Sequence, residues 1–252
     1  TGDNKNSITF NDGGDELVNA SEATSVTLSG KVEVGNTVTG VVITDANGTA
    51  QTVDLADVSV AADGTVTIAG QDLSQLAQGQ LTVTMSVRDV AGNAGTVTDT
   101  TTLDTVAPAT GDNKNSIAFN DGGDELVNAS EATSVTLSGK VEAGNTVTGV
   151  VITDANGTAQ TVDLADVSVA ADGTVTIAGQ DLSGLAQGQL TVTMSVRDVA
   201  GNAGSVTDTT TLDTIAPATG DNKNSITFND GGDELVNASE ATSVTLSGKV
   251  EV

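Results

Sequence analysis

The side chains of this chain that can do chemistry are almost all oxygen donors. Histidine and cysteine are absent, which removes the usual general base, the thiol nucleophile and the ligands zinc prefers. Pairs of acids can hydrolyse glycosides, but the chain has no Trp or Tyr with which to line a sugar cleft. An enzyme is not expected. Asp, Asn and Glu gather instead at breaks between apolar runs: Asp12 with Asp15, Asn19 with Glu22, Asp45 with Asn47, Asp89 with Asn93, and Asp104 with Asp112. Calcium takes six to eight such oxygens, some from backbone carbonyls. Asp and Asn are also favoured in turns for local hydrogen bonding, and that explains any one cluster equally well. Asp63 and Asp72 read as turn residues only.

Two metal-loop patterns fail. Residues 11–22 carry an acid at the twelfth position of a helix-flanked calcium loop, but Glu16 stands where that loop needs Gly. Gly13-Gly14-Asp15 lacks the further Gly and the tandem nonapeptides of a calcium β-helix. Asn19-Ala20-Ser21 and Asn47-Gly48-Thr49 are formal glycosylation sequons of low specificity.

These clusters recur because the chain repeats. Thr-Gly-Asp-Asn-Lys-Asn-Ser-Ile begins at 1, 110 and 219, a period of 109 residues. The first two copies differ only at 9/118, 34/143, 75/184, 96/205 and 106/215. The expected division is 1–109, 110–218 and a fragment, 219–252, read as the opening of a third copy within a longer array. A unit of this length suits one domain and is far too long for a solenoid repeat. Doubling a site gains an enzyme little, whereas each copy lengthens a spacer.

Net charge is −26 over 252 residues. Each full copy carries 14 acids against two Lys and one Arg. Such a surface repels nucleic acid and anionic membranes, so neither nucleic-acid binding nor direct membrane insertion is expected. Without disulfides, a domain with a small aliphatic core often draws stability from another source, and metal is the obvious one.

Thr, Val and Ile in alternation, broken by Gly, Asn and Asp, predict short antiparallel strands. They are Ile8–Phe10, Leu17-Val18, Ser25–Val32, Thr37–Thr44, short edge segments at 51–55 and 58–61, Thr65–Ile68, a run through Leu81, Val83, Met85 and Val87, and Gly95–Leu103. Val38 cannot share a face with Val41 and Ile43 unless the strand is irregular, which predicts a bulge at Gly40. Gly30 is where the backbone bends or is closely approached. Only 72–79 looks able to make a helical turn, with Leu73 and Leu76 tucked inward. About seven strands and no covering helix predict an all-β chain of tandem immunoglobulin-like β-sandwiches.

Between copies lies Asp104-Thr105-Val106-Ala107-Pro108-Ala109-Thr110-Gly111-Asp112-Asn113, returning as 213–222. Two readings stand side by side. It is a short solvated connector, or Asp104 and Asp112, with Asp213 and Asp221 at the next joint, hold a hard cation that fixes the angle between neighbours. In a sandwich of this kind the turn 89–93 lies at the pole where the chain enters, and Asp104 at the opposite pole. Asp104 should therefore meet Asp198 and Asn202 of the second copy, with Asp112 between them in sequence.

Five motifs, in this order, resemble a known family: Leu-Val-Asn-Ala-Ser-Glu (17–22), Val-Thr-Leu-Ser-Gly (26–30), Ile-Thr-Asp-Ala-Asn-Gly (43–48), Val-Arg-Asp-Val-Ala-Gly-Asn (87–93) and Leu-Asp-Thr-Val-Ala-Pro (103–108). They look like the bacterial immunoglobulin-like extender repeats of giant RTX-type biofilm and ice-binding adhesins exported by type I secretion. The resemblance implies a calcium-stiffened rod on the bacterial cell surface, contacting neighbouring repeats of its own chain. The adhesin's ligand would be bound by domains outside these residues. Family ligands to Ca2+ would map onto Asp89, Asn93 and Asp104, and in the second copy Asp198, Asn202 and Asp213. Asp15, Asn19 and Glu22, with Asp124, Asn128 and Glu131, are further candidates. A carbohydrate- or protein-binding module of a secreted protein is the alternative from another class.

Overall fold

A computed structural model describes residues 5–111, 114–219 and 223–251. Among them no helix is long and apolar enough to cross a membrane. The first copy forms β1 (Ser7–Phe10), β2 (Leu17–Val18), β3 (Val26–Lys31), β4 (Thr37–Thr44) and β5 (Ala50–Thr52). It continues with β6 (Val58–Val60), β7 (Thr65–Gln71), β8 (Gly79–Arg88) and β9 (Ala94–Leu103). They make two sheets, β1-β3-β7-β6 and β2-β9-β8-β4-β5. The two short edge segments β5 and β6 sit at the ends of their sheets, as the sequence predicts.

The inward face follows from the alternation. Leu81, Val83 and Met85 of β8 are fully buried, and they meet Leu28, Val41, Ile43 and Ile68 in one core. Burial of each such side chain is worth about 1.5–3 kcal/mol, without any aromatic ring beyond Phe10. The β4–β8 register shifts between Val38 and Gly40. That bulge lets Val38, Val41 and Ile43 all face inward. Gly30 has no side chain because the carbonyl of Ser7 fills the space: a Cβ there would lie 2.2 Å from it.

Three expectations are corrected. Among the described residues each full copy has nine strands, not about seven, since the segments at 17, 50 and 58 and their repeats all pair. One pairing is parallel: Leu17 and Val18 run alongside Thr102 and Leu103. The chain reaches it by leaving the first sheet after Phe10 and joining the second, through a turn with Glu16 at φ 63°. The helical turn also lies elsewhere. It is a 3-10 turn at Leu55–Asp57, because Asp54 Oδ1 accepts from the Ala56 N–H (2.9 Å) and caps it. Residues 72–78 are an irregular turn leading into β8, although Leu73 and Leu76 are buried beneath it.

The second copy repeats this order from β10 (Ser116–Phe119) through β17 (Gly188–Arg197) to β18 (Ala203–Leu212). In the third, β19 (Ser225–Asn229) and β20 (Thr245–Lys249) pair in the register of β1 and β3. Among the described residues no second sheet covers that hairpin, and Ile226 and Phe228 are 76% and 60% exposed where Ile8 and Phe10 are each 3% exposed.

Candidate functional site at the joint between copies

The joint is made by two poles that each anchor their own end of the connector. At the downstream pole of copy one, the Asp104 N–H donates to the Val18 carbonyl (3.0 Å). Its Oδ1 accepts from the Val106 N–H (3.1 Å) in an Asx turn. Gln78 then holds the next residue twice: Oε1 accepts from the Thr105 N–H (2.7 Å), and Nε2 donates to Thr105 Oγ1 (2.9 Å). At the upstream pole of copy two, Asn115 is fully buried. Its Nδ2 donates to the Ala109 carbonyl (2.7 Å), and its Oδ1 accepts from the Glu142 N–H and from Asn145 Nδ2 (both 3.2 Å). Val106, Ala107 and Pro108 are what remains between the two anchors. Pro108 lies over Gly204, where a Cβ would meet its ring Cδ at 3.2 Å.

Asn202 crosses the joint. Its Nδ2 donates both to the Asp104 carbonyl (2.8 Å) and to Asp198 Oδ2 (3.0 Å). Its Oδ1 accepts from the Ala20 N–H of copy one (2.9 Å). Its own N–H donates to Asp198 Oδ1 (2.8 Å), and the residue is 5% exposed. Asp104, Asp198 and Asn202 thus come together, but Asp104 takes part through its backbone oxygen. Asp112 and Asp221 lie outside the described residues. Asp213 ends copy two as Asp104 ends copy one, its N–H on Val127 (3.0 Å) and its Oδ1 accepting from the Ile215 N–H (3.0 Å). Asn93 donates to both carboxylate oxygens of Asp89 (2.8 Å each). Its side chain, then its backbone, holds the Asp89 carboxyl below the ordinary range.

The other candidates are engaged locally. Asn19 and Glu22 cap one turn reciprocally: Glu22 Oε2 accepts from the Asn19 N–H (3.0 Å), while Asn19 Oδ1 accepts from the N–H groups of Ser21 and Glu22. Asn128 and Glu131 do the same in copy two. Asp15 and Asp124 each accept from the N–H two residues on (3.1 Å). Asp45 is buried and takes three backbone N–H groups, from Asn47, Thr49 and Ala77. The Ala77 N–H above all keeps its carboxyl below the usual range, against the opposing effect of burial.

The donor types suit a hard cation, but among the described residues the acids of the joint do not converge on one point between the copies. Among the described residues no three acids gather as a metal site. The point on which oxygens of both copies converge is filled by the Asn202 amide nitrogen. Arg197 lines the same cleft, beside Ala20, Thr105 and Asn202, and brings a fixed positive charge. The sequence reading missed Gln78, Ala20, Asn115 and Gly204. Asn115 had one signal, the Asn-Lys-Asn-Ser that follows every joint, yet an Asn beside a linker reads as one more loop residue.

No family model and no curated protein matches the chain. Solved structures do. One is the Ca2+-stabilised adhesin with which an Antarctic bacterium reaches out and binds ice: 28% identity over 98% of this chain and 57% of that one, at TM-score 0.52. A tetra-tandem repeat from the extending region of a large adhesion protein is 28% identical over 97% of this chain and 56% of that one, at TM-score 0.35. A 1.5-MDa bacterial ice-binding adhesin is 29% identical over 98% and 76%, at TM-score 0.49. The chain spans a little over half the length of the first two. The first carries the comparison: in sequence and fold the chain is similar to tandem immunoglobulin-like repeats of a large bacterial adhesin.

Proposed function

We propose that the chain is an extender segment of a large adhesin on the bacterial cell surface. It is a non-enzymatic spacer, made of the copies 1–109, 110–218 and the opening of a third. It holds a ligand-binding tip, made by other parts of the adhesin, away from the outer membrane. One observation carries this reading: the connector leaves copy one beyond the end of β9 and meets copy two at the turn that begins β18, the opposite end of the equivalent strand. Each copy therefore adds its long dimension to the chain. Ten-residue strands at about 3.3 Å per residue, with loops at both poles, give about 40 Å per copy.

Calcium belongs to this proposal through the Ca2+-stabilised adhesin that the chain is similar to and through the 14 acids of each copy. We assign it to the turn acids, where it would neutralise part of the charge of each copy and stabilise and stiffen the sandwich. Small-angle scattering on this chain and on versions lengthened by whole copies tests the spacer reading. The maximum dimension should rise by about 40 Å per copy. A dimension that levels off, or specific binding on a glycan array, would replace the spacer with a binding module.

A further inference from the structure

We propose that the Asn202 carboxamide closes the joint in place of a cation. This deepens the spacer reading by naming what fixes the angle between copies. The –NH2 group does a bridging ion's work: it draws together two oxygens, the Asp104 carbonyl of copy one and Asp198 Oδ2 of copy two. The other end of the same amide accepts from the Ala20 N–H of copy one. Only one orientation of the amide meets all three partners. The flipped amide would set an oxygen against two oxygens and an –NH2 against an N–H.

The clasp is pre-organised. Asn93 of copy one, with no described copy before it, makes the same two bonds to Asp89 and is exposed. The hairpin therefore aims its amide before any neighbour arrives, and docking orders little that was free. What changes at Asn202 is burial and two added partners, both on the backbone of copy one. The side chain reads a carbonyl and an N–H rather than a charge, so the contact serves any copy with this loop geometry.

The test measures the distance between copies in the full chain. It has no cysteine, so Ser59→Cys and Ser168→Cys place two spin labels uniquely on exposed edge strands. Pulsed-dipolar distance distributions are recorded in calcium and in chelator. The expected wild-type distribution is narrow and the same in both. Asn202→Ala should broaden it in both. Asn202→Asp exchanges the donor for a second carboxylate, so the distribution should broaden in chelator and narrow in calcium. Ala20→Pro removes one clasp bond at the first position of a capped turn, where Pro is tolerated. It should broaden the distribution without touching copy two, which guards against a misfolded Asn202 variant. A wild type that broadens in chelator, or Asn202→Ala and Ala20→Pro distributions as narrow as wild type, would overturn the clasp. Either result leaves the spacer reading to its own test of length and ligand binding.

Discussion

Asn115 offers the sharpest test of how the connector is tied to copy two. Asn115→Ala removes the acceptor of the Glu142 N–H and the Nδ2 donor to Ala109. The Ala109 carbonyl keeps the backbone N–H of residue 115 (3.2 Å), but two part-buried donors, the Glu142 N–H and Asn145 Nδ2, lose their acceptor, at about 1–3 kcal/mol for each that stays unpaired. Asn115→Asp keeps the size but sets a carboxylate oxygen where Nδ2 lay, 2.7 Å from the Ala109 carbonyl. Glu142 is adjacent and already paired with Lys114 (2.8 Å). An uncompensated charge without solvent exposure costs about 3–5 kcal/mol. A domain of this size shifts by about 4–8 °C per kcal/mol. Calorimetry of the full chain should show copy one melting as before and copy two melting earlier, further for Asp than for Ala. The unaltered first copy serves as the reference. If Asn115→Asp melts no earlier than Asn115→Ala, the amide is not read by Ala109 and the anchor assigned to it is wrong.

Gly204→Ala should displace Pro108 and shift the interdomain distance, while Gly95→Ala, whose Cβ would meet only Val87 Cγ2 at an ordinary 3.7 Å, should not. Spin-label distances on the two variants decide it. Melting in about 10 mM calcium should exceed melting in chelator by about 2.7 kcal/mol per site, for a dissociation constant of about 0.1 mM; equal midpoints, with magnesium as control, would remove metal from the account. Asp45 and Asp154 have folded carboxyls held below the ordinary range. Their stabilisation is thus complete above the unfolded value of about 3.9 and is lost as pH falls through the lower folded one. Asp45→Asn with Asp154→Asn should flatten that acid limb in a pH series of melts. Asp104→Ala should leave the interdomain distance nearly unchanged, since the clasp uses the carbonyl that the substitution keeps.

The parts of the fold that alternate or punctuate were legible. The inward residues of β8, the bulge near Gly40, the close approach at Gly30 and the edge positions of β5 and β6 all follow from period-two patterning and from what Gly and Asn permit. What escaped depends on where the chain goes rather than on what it is. Leu17-Val18 has the composition of any short strand, and its parallel partner is set by a change of sheets that no local signal records. The 3-10 turn at Leu55 was hidden because Val53 and Leu55 continue an apolar alternation, while its cause is a single capping Asp.

The joint divides the same way. Topology was enough to bring Asp104 opposite Asp198 and Asn202, because strand parity fixes the pole at which each turn lies. The chemistry there was not legible, since a sequence displays side chains and this contact is half backbone. Asp104 draws attention as a carboxylate yet works through a carbonyl that any residue would supply. Asn202 is the reverse: a modest turn residue whose two-ended amide can bind a carbonyl and an N–H together, as no carboxylate can. A spacer of the kind proposed above would gain from that arrangement. Gln78 and Asn115 belong to their own copies and shorten the free connector to three residues, one of them Pro. With Asn202 joining the poles directly, bending requires breaking hydrogen bonds rather than merely turning torsions. The stiffness of the joint is therefore set copy by copy, in residues that repeat every 109 positions, and should be the same at every joint along an array.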